Sequence, residues 1–338
     1  MSVRVGVVSF AHVHAPQYAA VLASLDSADF VGVTDGNVSR GREVEHRFGV
    51  RYFDDARALF EAVDAVVVCS ENKNHVRDVI SALENGTHVL CEKPISTTIE
   101  DARAMIQASE DAGRQLRIAF PVRYLPAIAQ AREIVRSGGI GRVLAVNGTN
   151  HGQMPGGWFL DKELSGGGAV MDHTVHVADA LRWMLGAEAK SVYAEIGSFF
   201  GAEDIDDGAV LTLEFEGGVI ADGAFATIDP SWSRGKGYPT WGDVTLRITG
   251  TSGVLDVDPF AQRLTIFDHE SGSTSWTHTG EDMNVLMLED FLQGVAEGSP
   301  SGASGLDGLR TLEIVLSAYR SAEDNEPKEV ERTEVPGP

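Results

Sequence analysis

Cysteine is nearly absent: Cys69 and Cys91 are the two thiols in 338 residues. Each ends an apolar run, which reads as a pair of reduced core thiols and excludes a disulfide framework. Neither has a histidine and an acid beside it, so a thiol nucleophile is not expected. Long hydrophobic runs are missing too. No stretch approaches the roughly 20 apolar residues that span a bilayer. Basic residues are few, 27 against 50 acids, and the formal net charge is -23. That sign repels nucleic acid and anionic membrane surfaces, and neither is expected as a partner. The chain opens directly on an apolar run, Val3-Arg4-Val5-Gly6-Val7-Val8, with no charged leader or cleavage site. This predicts a cytoplasmic protein. No internal repeat or low-complexity segment occurs, and the acidic tail from Glu326 is expected to fray.

What remains is an ordinary globular composition, 43% hydrophobic, in a chain long enough for two domains. A strand at 3–8 leads into the turn Ser9-Phe10-Ala11-His12-Val13-His14. A helical stretch from Pro16 to Leu25 follows, then a strand from Phe30 to Thr34 that ends in Asp35. This is the dinucleotide-binding arrangement. The three glycines usual in the turn are replaced by Ser9, Ala11 and His14. Small residues at the first two places still let backbone approach a pyrophosphate, so Ser9, Phe10, Ala11 and His12 are candidate cofactor contacts. An acid ending the second strand accepts from ribose hydroxyls and repels a 2′-phosphate. Asp35 therefore predicts NAD, while Arg40, five residues on, blunts the repulsion and admits NADP.

Strands at 64–69, 88–91 and 116–120 alternate with helices at 76–85 and 98–112, as in a doubly wound parallel sheet of α/β class. Ser70, Asn72 and His75 follow one strand; Glu92-Lys93-Pro94 follow the next. Both sets sit at carboxyl ends, where ligands of open α/β sheets bind, so Ser70, Asn72, His75, Glu92 and Lys93 join the expected cofactor contacts. Pro94 restricts Lys93 to extended backbone and holds it at the strand tip. Residues 1–121 are predicted to form a Rossmann domain and 122–338 a second, α+β domain. In the latter, strand candidates at 143–150, 191–199, 209–216, 219–227, 244–249, 254–257 and 264–267 predict a large, open, mainly antiparallel sheet. Helices are expected at 127–137, 169–185, 283–296 and 306–322. An open sheet leaves a face to cover, so a homodimer or homotetramer is expected.

Gly166-Gly167-Gly168 leads into the helix from Ala169. Asp172 and His176 lie four apart and share one face of it. A carboxylate beside an imidazole raises its basicity, with an ionisation expected near neutrality, and the pair suits proton removal from an alcohol. His173 is expected to point elsewhere, so Asp172, His173 and His176 lack the shared face a metal needs, and no metal is expected. Trp158, Phe159 and the loop 231–238 are candidates to shape a ligand pocket.

Together, Glu92-Lys93-Pro94 after an apolar strand and three glycines followed by Asp172 and His176 resemble the Gfo/Idh/MocA oxidoreductases. Asn72, His75, Arg123 and the helix from Leu306 fit the same pattern, and the resemblance covers nearly the whole chain. It implies a nicotinamide cofactor, an active site between the two domains, and a sugar, inositol or related polyol as substrate. It implies that Lys93 binds the reacting oxygen, that His176 is the acid/base and that Asp172 supports them. Arg123, Tyr124 and Trp158 are expected to join Asp172 and His176 around the substrate. Two other activities found on this pattern are NAD-dependent glycoside cleavage and sensing without turnover. The presence of Lys93, Asp172 and His176 together points away from a sensor.

Overall fold

The computed structural model describes residues 2–261 and 263–335. Six strands, β1 (Val3–Val8), β2 (Ala28–Thr34), β3 (Arg51–Tyr52), β4 (Ala65–Val68), β5 (His88–Cys91) and β6 (Leu116–Ile118), pair in parallel in the order β3-β2-β1-β4-β5-β6. Between them run α1 (Ala15–Leu22), α2 (Val38–Phe48), α3 (Ala56–Phe60), α4 (His75–Glu84) and α5 (Ile99–Ala112). Helices on both faces bury β4 along its whole length, which is why it is an unbroken Ala-Val-Val-Val run. The strand order reverses between β1 and β4, and the turn after β1 and the loop after β4 open a crevice there. Cys69 and Cys91 are buried and unpaired.

The second sheet contains β7 (Val143–Gly152), β8 (Glu188–Gly197), β9 (Gly208–Glu216), β10 (Ile220–Ser231), β11 (Gly242–Gly250) and β12 (Val254–Val257). Strands β13 (Arg263–Phe267) and β14 (Thr274–His278) form a separate hairpin, and β15 (Lys328–Glu329) joins the sheet beside β8. The sheet order is β12-β11-β7-β10-β9-β8-β15, antiparallel apart from the β7–β10 pair. Every strand candidate forms. The sequence signal missed β14, whose residues are mostly polar. It also expected the tail to fray, but β15 is held by β8 and Val330 is buried.

Helices α6 (Pro126–Arg136), α7 (Lys162–Ser165), α8 (Ala169–Leu185), α9 (Met283–Glu297) and α10 (Gly305–Asp324) complete the chain. Along β9, Leu211, Leu213 and Phe215 turn inward while Val210, Thr212 and Glu214 turn out, and α8 and α10 cover the inner face. Helix α10 also lies against the first sheet. There a Cβ at Gly308 would come within 2.8 Å of Ile118, so only glycine permits the approach. Helix α9 departs from the simple division at residue 121. Its Met287, Leu288, Phe291 and Leu292 stripe packs with Val5, Val7 and Tyr18 of the first sheet's layer. The last third of the chain thus returns to clasp the first.

Candidate active site

Glu92 and Lys93 follow β5 at its carboxyl end and are both buried. The Lys93–Pro94 peptide is cis. Beneath this loop the fully buried His75 ring faces the Pro94 carbonyl at 3.0 Å and the Ser70 carbonyl at 3.2 Å. Burial lowers its pKa, and as a neutral ring it donates to one of these carbonyls. His75 therefore props the loop that presents Lys93. The ring is packed inside the protein, facing the loop's own carbonyls.

Lys93 Nζ reaches across to α8 and donates to Asp172 Oδ1 at 2.6 Å. The other oxygen, Oδ2, accepts from Trp232 Nε1 at 3.1 Å and faces His173 Nε2 at 3.2 Å. Burial alone would push the Asp172 carboxyl up, but Lys93 and then His173 outweigh it and hold it well below its usual range. The expected Asp172–His176 pair does not form. Its place is taken by Asp172–His173, although His173 was expected to point away. The His173 ring swings back along the helix, with Nδ1 at 3.0 Å from the Asn150 carbonyl on β7. His176 is buried, and its Nδ1 has no hydrogen-bond partner among the described residues. Burial, reinforced by the charge of Lys93, pushes its pKa well below the usual imidazole value. It is a neutral base with an unspent nitrogen.

Helix α8 is aimed by Asp206, which sequence reasoning missed. Its carboxylate accepts from the Gly168 and Val170 N–H groups at 2.9 and 2.8 Å and from Tyr319 Oη at 2.9 Å. A Cβ at Gly168 would sit 1.8 Å from the Asp206 carbonyl oxygen, which accounts for glycine there. Asp206 lies 34 residues after Asp172 in a loop, and no spacing rule connects the two.

Lys93, Asp172, His173 and His176 share a chamber of about 190 Å³ with His12 and Phe159. A cation, a carboxylate and a neutral imidazole thus face one small volume between the two sheets. That set can bind an oxygen, stabilise charge on it and accept its proton.

A second cavity, about 600 Å³, runs along the carboxyl ends of β1, β2 and β4 between Ser9, Asp35, Arg40 and Ser70. Ser9 takes φ +66°, the left-handed backbone that glycine usually supplies in this turn. Its Oγ accepts the Ala11 N–H at 3.2 Å. Asp35 accepts from the Phe10 N–H at 2.8 Å, the Asn37 N–H at 2.7 Å and Arg40 at 2.7 and 2.8 Å. Its carboxylate is saturated with donors, so the open ribose acceptor expected at this position is covered by Arg40. Ser70 Oγ is buried and unpartnered among the described residues, a hydroxyl left for a ligand in this groove. The size, the position at the strand tips and that hydroxyl fit a dinucleotide. Asn72 turns elsewhere: its Nδ2 donates to the Ser165 carbonyl at 2.8 Å and ties the loop to the glycine run.

At the inner end of the turn, His14 Nδ1 lies 2.9 Å from Glu92 Oε1, and the Lys93 N–H donates to Glu92 Oε2 at 3.0 Å. Burial opposes charge on Glu92, but the imidazoles and Lys93 overcome it and keep the carboxyl well below its usual range. Burial pushes His12 down to about 3. His12, His14 and Glu92 bring ligand-type atoms within 4.8 Å of one another. His12 Nδ1 is spent accepting the His14 N–H at 3.2 Å, so the three are held as a hydrogen-bonded set.

Three expected substrate residues lie outside the chamber. Arg123 is buried in a bidentate pair with Asp179 at 2.6 and 2.5 Å, with Asp307 at 3.3 Å. Tyr124 Oη donates to Asp290 at 2.5 Å, and burial, then that bond, raises its pKa. Trp158 stacks on Phe159 at 3.9 Å and donates from Nε1 to the Ala11 carbonyl at 2.9 Å, bracing the turn. In the loop 231–238, Trp232 reaches the site and Tyr238 instead binds Asp243 at 2.9 Å.

Residues 3–120 match the oxidoreductase family with an NAD-binding Rossmann fold, and residues 128–256 match the GFO/IDH/MocA C-terminal domain. The chain is 29% identical to myo-inositol 2-dehydrogenase of Thermotoga maritima over 95% of its own length and 96% of that protein. It is 30% identical to 1,5-anhydro-D-fructose reductase of Ensifer adhaerens over 80% of each chain. Among solved structures, GenD2 from gentamicin A biosynthesis, in complex with NAD, is similar at a TM-score of 0.86 and 25% identity, over 97% of this chain and 96% of that one.

Proposed function

Since the chain belongs to the GFO/IDH/MocA oxidoreductase family, with its NAD-binding Rossmann fold, we propose that it oxidises a CH–OH group of a sugar, inositol or related polyol. The observation that carries this reading is the Lys93–Asp172 pair beside neutral His176 in one small chamber between the two sheets. The names of its relatives, an inositol dehydrogenase and an anhydrofructose reductase, agree with it.

The nicotinamide cofactor supplies the hydride acceptor or donor when bound. Ser9, Phe10, Ala11, Asp35, Arg40 and Ser70 line or shape the groove that holds it. His176, neutral and unpartnered at Nδ1, takes the hydroxyl proton. Lys93 Nζ stabilises the charge developing on that oxygen. Asp172 fixes Lys93 and, through Trp232, the loop before β11. Glu92, His14 and His75 are positioning residues for Lys93. Residues 1–121 form the cofactor half and 122–338 the substrate half, with α9 reaching back. The outer face of the second sheet, with Val210 and Phe225 exposed, is the surface of a homodimer or homotetramer. No described helix is long and apolar enough to cross a membrane.

Reduction of NAD and NADP, followed by cofactor absorbance against a panel of sugars, inositols and polyols, tests the activity. Turnover with at least one of them is expected, lost in Lys93→Ala and in His176→Ala. Failure with the whole panel, combined with sugar release from a glycoside and no net reduction, would replace this reading with glycoside cleavage.

A further inference from the structure

The catalytic chamber is small. Its roughly 190 Å³ falls below the ~300–1,000 Å³ of usual ligand pockets. It opens into a second cavity of about 570 Å³, and Gln17, Trp241, Met283 and Asn284 line both. The two are one elongated cleft, with the reacting groups at its narrow end.

The wall of this cleft is aromatic along its length. His173, beside Asp172, meets the Trp241 ring edge-to-face at 6.2 Å, and Trp241 meets Phe260 edge-to-face at 6.1 Å. Trp241 is 37% exposed and lines both cavities. Val21, Leu125 and Pro126 supply an apolar floor opposite. The charge is one-sided. Glu281 and Asp282 border the outer cavity, and no lysine or arginine among the described residues lines it. Asp282 is already committed to capping α9, accepting the Asn284 N–H at 2.7 Å. An anionic group would meet acids and no cation there, whereas an uncharged ring finds aromatic faces and aliphatic carbon.

We propose that the outer cavity is a subsite for the aglycone of a neutral glycoside, and that such a glycoside is the substrate. One sugar ring enters the inner chamber. The glycosidic oxygen passes between Gln17 and Trp241, and a second, uncharged ring rests against Trp241 and Phe260. The reaction remains the two-electron oxidation of one ring CH–OH to C=O: the hydride leaves to NAD+, the proton goes to His176, and the glycosidic bond stays intact. The proposal rests on the dehydrogenase reading above. It excludes sugar phosphates as substrates, because among the described residues the cleft offers a phosphate no lysine or arginine beyond Lys93, which Asp172 holds.

Matched pairs provide the test. The NADH-bound protein is titrated calorimetrically with glucose, galactose and xylose, with the phenyl β-glycoside of each, and with glucose 6-phosphate. At least one phenyl glycoside is expected to bind about tenfold or more tightly than its parent, the gain of one well-placed aromatic contact. Glucose 6-phosphate is expected to bind more weakly than glucose. Phe260→Leu keeps an apolar filling and removes the aromatic face, and Trp241→Leu does the same one step inward. Each is expected to cut the glycoside-to-parent affinity ratio to below about threefold, with thermal unfolding reporting that the variant is folded. The proposal is overturned if no phenyl glycoside in the panel binds more tightly than its parent, or if the advantage persists in both variants. A glycoside that binds tightly through Phe260 and Trp241 yet never reduces NAD would leave the subsite standing and defeat the dehydrogenase reading instead.

Discussion

Lys93 Nζ lies 2.6 Å from Asp172 Oδ1, and this ion pair joins the tip of β5 to the first turn of α8. Lys93 is buried and Asp172 is only 12% exposed at its side chain, so the contact is largely desolvated. It spans the boundary between the two sheets, and the chamber takes its shape from it.

Lys93→Ala is expected to lower kcat by about 100- to 1000-fold, the usual effect of removing one electrostatic contact to a developing oxyanion. Cofactor affinity should fall far less. Steady-state kinetics beside fluorescence titration of the cofactor separates the two. Equal losses in both would mean that Lys93 serves the cofactor and not the substrate oxygen.

The pH profile follows from His176. Burial and Lys93 lower its pKa, so the neutral base persists as pH falls through the ordinary imidazole range. The oxidation rate is therefore expected to be flat through neutrality and to drop only well below pH 6.5, not near neutrality as Asp172 pairing would have predicted. Lys93→Ala removes a positive neighbour and should move the limb up toward neutrality. Asp172→Asn removes a negative one and should move it further down. His176→Ala should cost roughly 100-fold or more and abolish the limb. A limb that stays put in His176→Ala assigns the base to another residue.

Asp35 and Arg40 are expected to set cofactor choice. With Arg40 clamped on the carboxylate, the charge that repels a 2′-phosphate is offset. Wild-type protein is expected to bind NAD and NADP within about tenfold of each other, a difference of ~1.4 kcal/mol or less. Arg40→Ala should uncover Asp35 and widen the preference for NAD. Competitive fluorescence titration of both cofactors checks this, and an unchanged ratio would show that the Arg40 guanidinium does not screen the site.

Arg123 is placed as a clasp and not as a substrate ligand. Arg123→Met leaves Asp179 buried without its partner and should destabilise the fold by about 3–5 kcal/mol. Urea unfolding measures this. A variant of wild-type stability with a raised KM would return Arg123 to the substrate site.

Val210 and Phe225 are 52% and 45% exposed on the outer face of the second sheet. Wild-type protein is expected to scatter light as a dimer or tetramer, and Phe225→Asp should shift it toward monomer. A monomeric wild type at working concentration would contradict the assembly.

The sequence by itself determined the alternation of strands and helices, the strand tips that carry Ser70 and Lys93, and the helix that carries Asp172 and His176. These follow from local chemistry: apolar periodicity, glycine stops and a proline after Lys93, each legible within a dozen residues. Only the tertiary structure decided which charge meets which. Asp172 chose Lys93, 79 residues away, over His176 one helical turn on, and Asp35 took Arg40 instead of standing open. Arg123 was drawn to Asp179 and Asp307, and α9 returned to the first sheet. A buried charge is stable only beside its counter-charge, so the partner is set by distance through the folded core, and spacing along the chain carries no record of that distance.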